Sequence, residues 1–243
     1  EILTCDWSSD VCSSDLVIGW RGSRTVPRKG TRRPWLPPRP GASSTERTDV
    51  WVLYDDEQIY VTCRCWDTAP PDAWVANELR RDTSGLRQND HFGVMFDTFY
   101  DRRSGFIFNV NAVGGRTDGQ FPNERQYNGD WNPIYDLAVG RFDGGWTVEM
   151  ALPFKSLRYR PGQAQIWGFN ARRIDRWKSE TSHLTQIPKS MVSSGLFQPS
   201  LAATIVGIEA PSGSKNIEIK PYGISNVSTD RKATPATSND LDR

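Results

Sequence analysis

Two alternating runs separated by a polar turn, within residues 88–118, set the strongest limit on what this chain can fold into. Phe92, Val94 and Phe96 alternate with Gly93, Met95 and Asp97, the period of a half-buried strand. The run 100–105 (YDRRSG) has turn chemistry, with Gly105 free to take positive φ. Phe106, Phe108 and Val110 then alternate with Ile107, Asn109 and Asn111. The spacing predicts a hairpin whose inner face is aromatic and aliphatic and whose outer face carries Asp97, Asn109 and Asn111. Such a hairpin builds a core on one side and presents amides and carboxylates on the other.

The flanking sequence repeats this texture. Residues 50–54 and 59–66 read as strands joined by a turn at 55–58, with Ile59, Val61, Cys63 and Cys65 on one face. Asp72 is placed to cap a short helix over 73–79. A strand is expected over 114–121, a polar loop over 122–133, and strands over 135–142 and 146–152 around a Gly144-Gly145 turn. One helical turn beginning with Pro153 and a strand over 165–174 follow. Many short strands with Gly, Asn and Asp turns and little helix predict an all-β antiparallel sandwich.

The ends are of a different character. Residues 1–16 repeat Ser-Ser-Asp at 8–10 and 13–15 and resemble translated sequencing-adaptor DNA, so they are set apart from the fold. Residues 17–43 carry Arg21, Arg24, Arg28, Lys29, Arg32, Arg33 and Arg39 among prolines. This segment is expected to be disordered or out of frame, ahead of a nucleic-acid arm. The net charge is +1, so bulk electrostatics propose no polyanion and no nucleic acid as partner. No signal-peptide h-region is visible, and no apolar run has the length of a membrane helix. Cys63 and Cys65 lie two apart on one strand face and are expected to be buried thiols, since no second Cys or His cluster completes a zinc site.

A family resemblance rests on motifs in constant order: VLYDD at 52–56, ANELRRD at 76–82, Asn89-Asp90, FDTF at 96–99, DRRSG at 101–105, and the run 109–114. DGGWTVEM at 143–150, LPFKSLR at 152–158 and WGFN at 167–170 continue it. Together they resemble the family 9-like carbohydrate-binding domain found at the front of bacterial proteins that continue into an outer-membrane β-barrel. The resemblance spans 44–210 and implies a jelly-roll-like sandwich. It implies that 211–243 is a linker and the truncated start of the barrel. It also implies a place in the Gram-negative cell envelope, in the periplasm or outer membrane, and a link to carbohydrate catabolism or uptake. Structural calcium is compatible with it, with no ligands assigned.

Pyranose rings present C–H faces that pack on aromatic rings, while ring hydroxyls need paired donors and acceptors. Trp131 is the leading aromatic by this criterion, in a polar loop with Tyr127, Asp130 and Asn132 that no strand pattern claims. Trp74 and Trp177 come next, both in polar settings. Candidate polar contacts are Arg80, Arg81, Asp90, Asn109, Asn111 and Asp118. Each also has a structural reading, such as Arg81 forming a buried ion pair with Asp90 or Asp97. No spacing singles out a glycosidase carboxylate pair, and there is no nucleophile elbow or phosphate loop. The sequence therefore points to a non-catalytic saccharide-binding module. The alternative is a docking or regulatory domain of the barrel that binds no sugar.

Overall fold

Among the described residues, alternation resolves into strands. A computed structural model describes residues 44–211 except 125, 161 and 163; the segments 1–16 and 17–43, and all of 211–243 but its first residue, lie outside the described residues. Thr48–Tyr54 (β1), Gln58–Trp66 (β2), His91–Asp97 (β3), Gly105–Asn111 (β4) and Arg116–Asn123 (β5) are followed by Gln126–Asn128 (β6), Asp136–Phe142 (β7) and Gly145–Pro153 (β8). Ala164–Asp175 (β9), Glu180–His183 (β10) and Ala203–Glu209 (β11) complete the set. They form two antiparallel sheets, one ordered β1-β2-β8-β7 and the other β10-β9-β3-β4-β5-β6, with β11 also paired to β9. The chain is an all-β sandwich.

The core lies between the sheets. Val61, Cys63 and Cys65 of β2 and Trp146, Val148 and Met150 of β8 meet Phe92, Val94, Phe96, Phe106 and Phe108 from the opposite sheet. Trp167 and Phe169 of β9 close on Phe96 with ring centroids 6.0 and 5.0 Å away. Cys63 and Cys65 are unbridged and fully buried, with 3.8 Å between sulfurs. A thiol reagent should therefore label neither in the folded state and both after denaturation. Fast labelling of the native domain would contradict this burial.

Four expectations are corrected. The outer face of β3 and β4 is buried as completely as the inner one. Met95 and Ile107 would leave an apolar patch there, and Leu196 packs on them with Phe121 to form a second small core. Leu196 comes from a stretch of short 3-10 turns, Lys189–Met191, Gly195–Phe197 and Pro199–Leu201, that has no periodicity to read. Second, the left-handed positions of the 98–104 turn are Tyr100 and Arg102, not Gly105. Asp97 holds them by accepting the N–H groups of Asp101 (3.2 Å) and Arg102 (2.8 Å). Gly105 is needed for space, since a Cβ there would lie 2.8 Å from both the Phe121 ring and the Phe96 carbonyl. Third, the helix over 73–79 is reduced to the 3-10 turn Pro71–Ala73. Side chains at 89 and 90 take the N–H groups of Val75, Asn77 and Glu78 that a helix would have used. Fourth, the polar loop over 122–133 contains the end of β5 and all of β6, so Tyr127 is a strand residue.

Candidate functional site

The polar residues on the outer face of the hairpin serve first as anchors. Asn89 Oδ1 accepts the N–H groups of Asn77 (2.9 Å) and Glu78 (3.0 Å) and the Nδ2 of Asn111 (3.0 Å). Asn111 Nδ2 also donates to the Glu78 carbonyl (2.6 Å), while its Oδ1 accepts the N–H of Gly115 (2.7 Å). Asp90 accepts the N–H of Val75 on one oxygen (2.7 Å) and that of Arg176 on the other (2.6 Å). Irregular segments must satisfy every buried backbone group, and short Asn and Asp side chains do that here for residues 74–90.

The expected ion pair of Arg81 exists with a different partner. Its Nη2 donates to both oxygens of Asp118, at 2.8 and 3.0 Å, and to the Pro133 carbonyl at 3.1 Å. Asp90 and Asp97 are already occupied by backbone N–H groups. Burial raises the Asp118 pKa even with Arg81 beside it. Arg80 is exposed and pairs with Glu78 at 2.9 Å, which holds that carboxyl down to about 2. Asp90, Asp97 and Asp118 thus have both oxygens committed to donors, which leaves none of the three free to act as one of a glycosidase's two carboxylates.

Trp131 is half-buried. Its ring lies 4.8 Å from that of Phe106 and 5.7 Å from that of Phe108, where the chain crosses from β6 in one sheet to β7 in the other. Asp130 and Asn132 on either side are exposed. Tyr127 keeps part of its ring exposed and donates its hydroxyl to the Asp118 carbonyl (2.8 Å).

Among the described residues, Trp177 is the aromatic with most of its surface in solvent, 56% exposed, in the turn between β9 and β10. Its neighbour Arg176 is bound through the backbone to Asp90, the same carboxylate that binds Val75, next to Trp74. One buried group therefore ties the Trp74 and Trp177 segments together. Trp74 itself is half-buried against the core, with its Nε1 donating to the Ala69 carbonyl (3.3 Å) and the Arg141 guanidinium 5.1 Å from its ring.

Sequence reasoning passed over a buried cation on the strand before this turn. Arg172 on β9 is 6% exposed. It donates to the Asn109 Oδ1 (3.2 Å), the Ser193 carbonyl (3.2 Å) and the His91 Nε2 (3.3 Å). Gly93 stands between Arg172 and Asn109 in the sheet, and a Cβ there would come within 2.3 Å of the Asn109 Oδ1. His91 Nδ1 donates to the Asn89 carbonyl (2.9 Å), so Nε2 is the acceptor. Burial, with Arg172, Arg176 and Arg87 nearby, holds His91 down to about 3. The available signal was the run 171–177 (ARRIDRW), which puts residues 172, 174 and 176 on one face of a strand.

Among the described residues, Glu46, Asp67 and Asp175 are the carboxylates close enough to share a metal ion. Arg173 lies 2.9 Å from Asp67 and 3.9 Å from Asp175, and Lys178 pairs with Glu46. Calcium takes six to eight oxygens. Three carboxylates with two side-chain cations already against them supply fewer oxygens than that, although the Asp175 Oδ2 accepts no hydrogen bond.

No family model and no curated protein matches the chain. Among solved structures it is similar to a family 9 carbohydrate-binding module from Caldicellulosiruptor kristjanssonii, in complex with cellotriose and in complex with glucose. In each case 17% of residues are identical over 82% of this chain and 96% of that one, with a TM-score of 0.48. It is also similar to a candidate carbohydrate-binding protein from Bacteroides uniformis, 10% identical over 67% of this chain and 79% of that one, with a TM-score of 0.54. The last of these shows a shared fold, and the sandwich implied by the sequence resemblance is the fold the chain adopts.

Proposed function

We propose that this domain is a non-catalytic saccharide-binding module whose contact surface centres on Trp177. The carrying observation is the exposed indole on a rigidly held turn, beside a segment fixed by the same buried carboxylate. An exposed aromatic ring with polar groups around it matches the C–H faces and hydroxyl rim of a sugar. The cell-envelope setting, the role in carbohydrate uptake or catabolism and the following β-barrel belong to the same proposal and rest on the sequence resemblance.

Affinity electrophoresis of the full chain against a panel of soluble polysaccharides tests this. Trp177→Ala should weaken retention by roughly thirtyfold, the scale of an aromatic hot spot. The unfolding midpoint should stay nearly unchanged, because the ring contributes little to the core. Retention that survives the substitution would remove Trp177 from the site. If the intact chain is retained by no polysaccharide, the docking reading replaces the saccharide one.

A further inference from the structure

We propose that Lys178, with Arg173, takes the place of a structural metal ion: the two side-chain cations join the sheets through Glu46, Asp67 and Asp175, and no calcium is held there. This goes beyond the saccharide reading and does not rest on it. The three carboxylates each offer an oxygen within 4.8 Å of the others, and all three residues are buried. Like charges brought that close and out of water need a cation among them. A divalent ion is one solution, with the carboxylate oxygens as its ligands. The chain supplies another. Arg173 Nη2 lies 2.9 Å from Asp67 Oδ2 and 3.9 Å from Asp175 Oδ2, and Lys178 Nζ pairs with Glu46 Oε1. Burial alone would raise the Glu46 carboxyl, yet the hydrogen bonds from Lys178 and Thr68 hold it below its ordinary value.

Backbone donors take further oxygens. Asp67 Oδ1 accepts the N–H of Ala69 (2.8 Å), Glu46 Oε1 that of Thr68 (3.0 Å) and Asp175 Oδ1 that of Lys178 (3.0 Å). An ion set among these groups would face two cations already in contact with its ligands, and like charges repel. Asp175 Oδ2 accepts no hydrogen bond, so it is an oxygen that an ion reaches once one of the cations is gone. The link is of the kind a metal makes between distant segments. Glu46 precedes β1 and Asp67 follows β2, strands of one sheet. Arg173 and Asp175 belong to β9 in the other sheet, and Lys178 to the turn after it. Arg173 Nη1 also donates to the carbonyls of Trp66 (2.5 Å) and Arg47 (3.3 Å). The lysine ammonium is a compact point charge with three donors, the side-chain group that most resembles an ion. Because Lys178 follows Trp177, its pair with Glu46 also fastens the turn that carries the exposed indole to the opposite sheet.

The test is urea denaturation of the full chain in a metal chelator and across a calcium titration, at constant ionic strength. The parent should have the same unfolding midpoint throughout. Lys178→Met keeps the aliphatic stem and removes the ammonium. Its midpoint should be lower than the parent's in chelator and should rise with calcium concentration, as mass action requires of a ligand that binds the folded state. Lys178→Arg keeps the charge and should be as indifferent to calcium as the parent. Lys189→Met, which removes an exposed lysine on another turn, should match the parent in both conditions and so exclude a general effect of lost surface charge. If Lys178→Met does not fold in chelator, refolding in calcium becomes the readout: recovery of the cooperative transition supports the proposal, and its absence overturns it. A parent that calcium stabilises, or a Lys178→Met variant that calcium leaves unchanged, would also overturn it. None of these measurements uses a sugar, so the saccharide reading stands or falls separately.

Discussion

Replacing Trp146 by alanine is expected to cost roughly 3–5 kcal/mol of folding stability, the range for truncating a buried tryptophan. The indole is 1% exposed on β8, paired in register with Cys65 of β2 and Arg141 of β7. The rigid sheets on either side cannot collapse into the volume it leaves, so the loss includes a cavity as well as apolar transfer. Trp131→Ala should cost about 2 kcal/mol, because only part of its ring is buried and the Phe106 and Phe108 contacts go with it. Urea denaturation of both variants beside Trp177→Ala would order the three tryptophans as core, closure and surface. A loss below about 1 kcal/mol for Trp146→Ala would show that the space between the sheets is more compliant than this packing allows. Polysaccharide retention in Trp131→Ala, measured in parallel, decides whether the Trp131 loop contacts ligand at all.

The core was legible because burial between two sheets writes a period of two into the sequence. Phe92, Val94, Phe96 and their partners on β2 and β8 could be assigned from alternation alone. The cover over the second face could not. Leu196 and Phe197 sit in 3-10 turns with no repeat, and only the apolar pair Met95 and Ile107 hinted that something must lie on them. The site was harder for a different reason. Asn89, Asp90, Asn111 and Asp118 have the composition expected of a sugar-binding face, but a side chain that anchors a loop and one that binds a hydroxyl are the same residue types. Which role a residue takes depends on whether an irregular segment passes over it. Trp131 looked free because its loop is polar, yet where that loop crosses between the sheets the ring packs on Phe106 and Phe108. Arg172 and His91, far apart in sequence, meet only because β3 pairs with β9.

Acidification offers a second large effect with a clear origin. His91 and His183 are the chain's two histidines, and both are buried. Burial, followed by Arg172, holds each down to about 3, against an ordinary value of 6.5. His183 lies opposite Arg172 on β10, with its Nε2 beneath Gly195 and both ring nitrogens without a hydrogen-bond partner. As pH falls through 6.5 the unfolded chain takes up a proton at each ring, while the folded chain does not until about 3. Between those values the unfolded state binds more protons, so stability falls as pH falls and is fully retained above 6.5. From about pH 8 to about pH 5 each histidine should remove about 2 kcal/mol, roughly 4 together. Asp90, Asp97 and Asp118, raised by burial, act in the opposite sense as they protonate in the folded state. A variant therefore isolates the histidine contribution better than the raw pH profile. His183→Leu removes the titrating ring from a place where it makes no hydrogen bond, so it should cost little near pH 8. It should then be less acid-sensitive than the parent by about 2 kcal/mol near pH 5 in paired urea titrations. Parallel pH dependence in the two proteins would mean that His183 takes up its proton in the folded state, which would require solvent to reach it beneath residues 184–202.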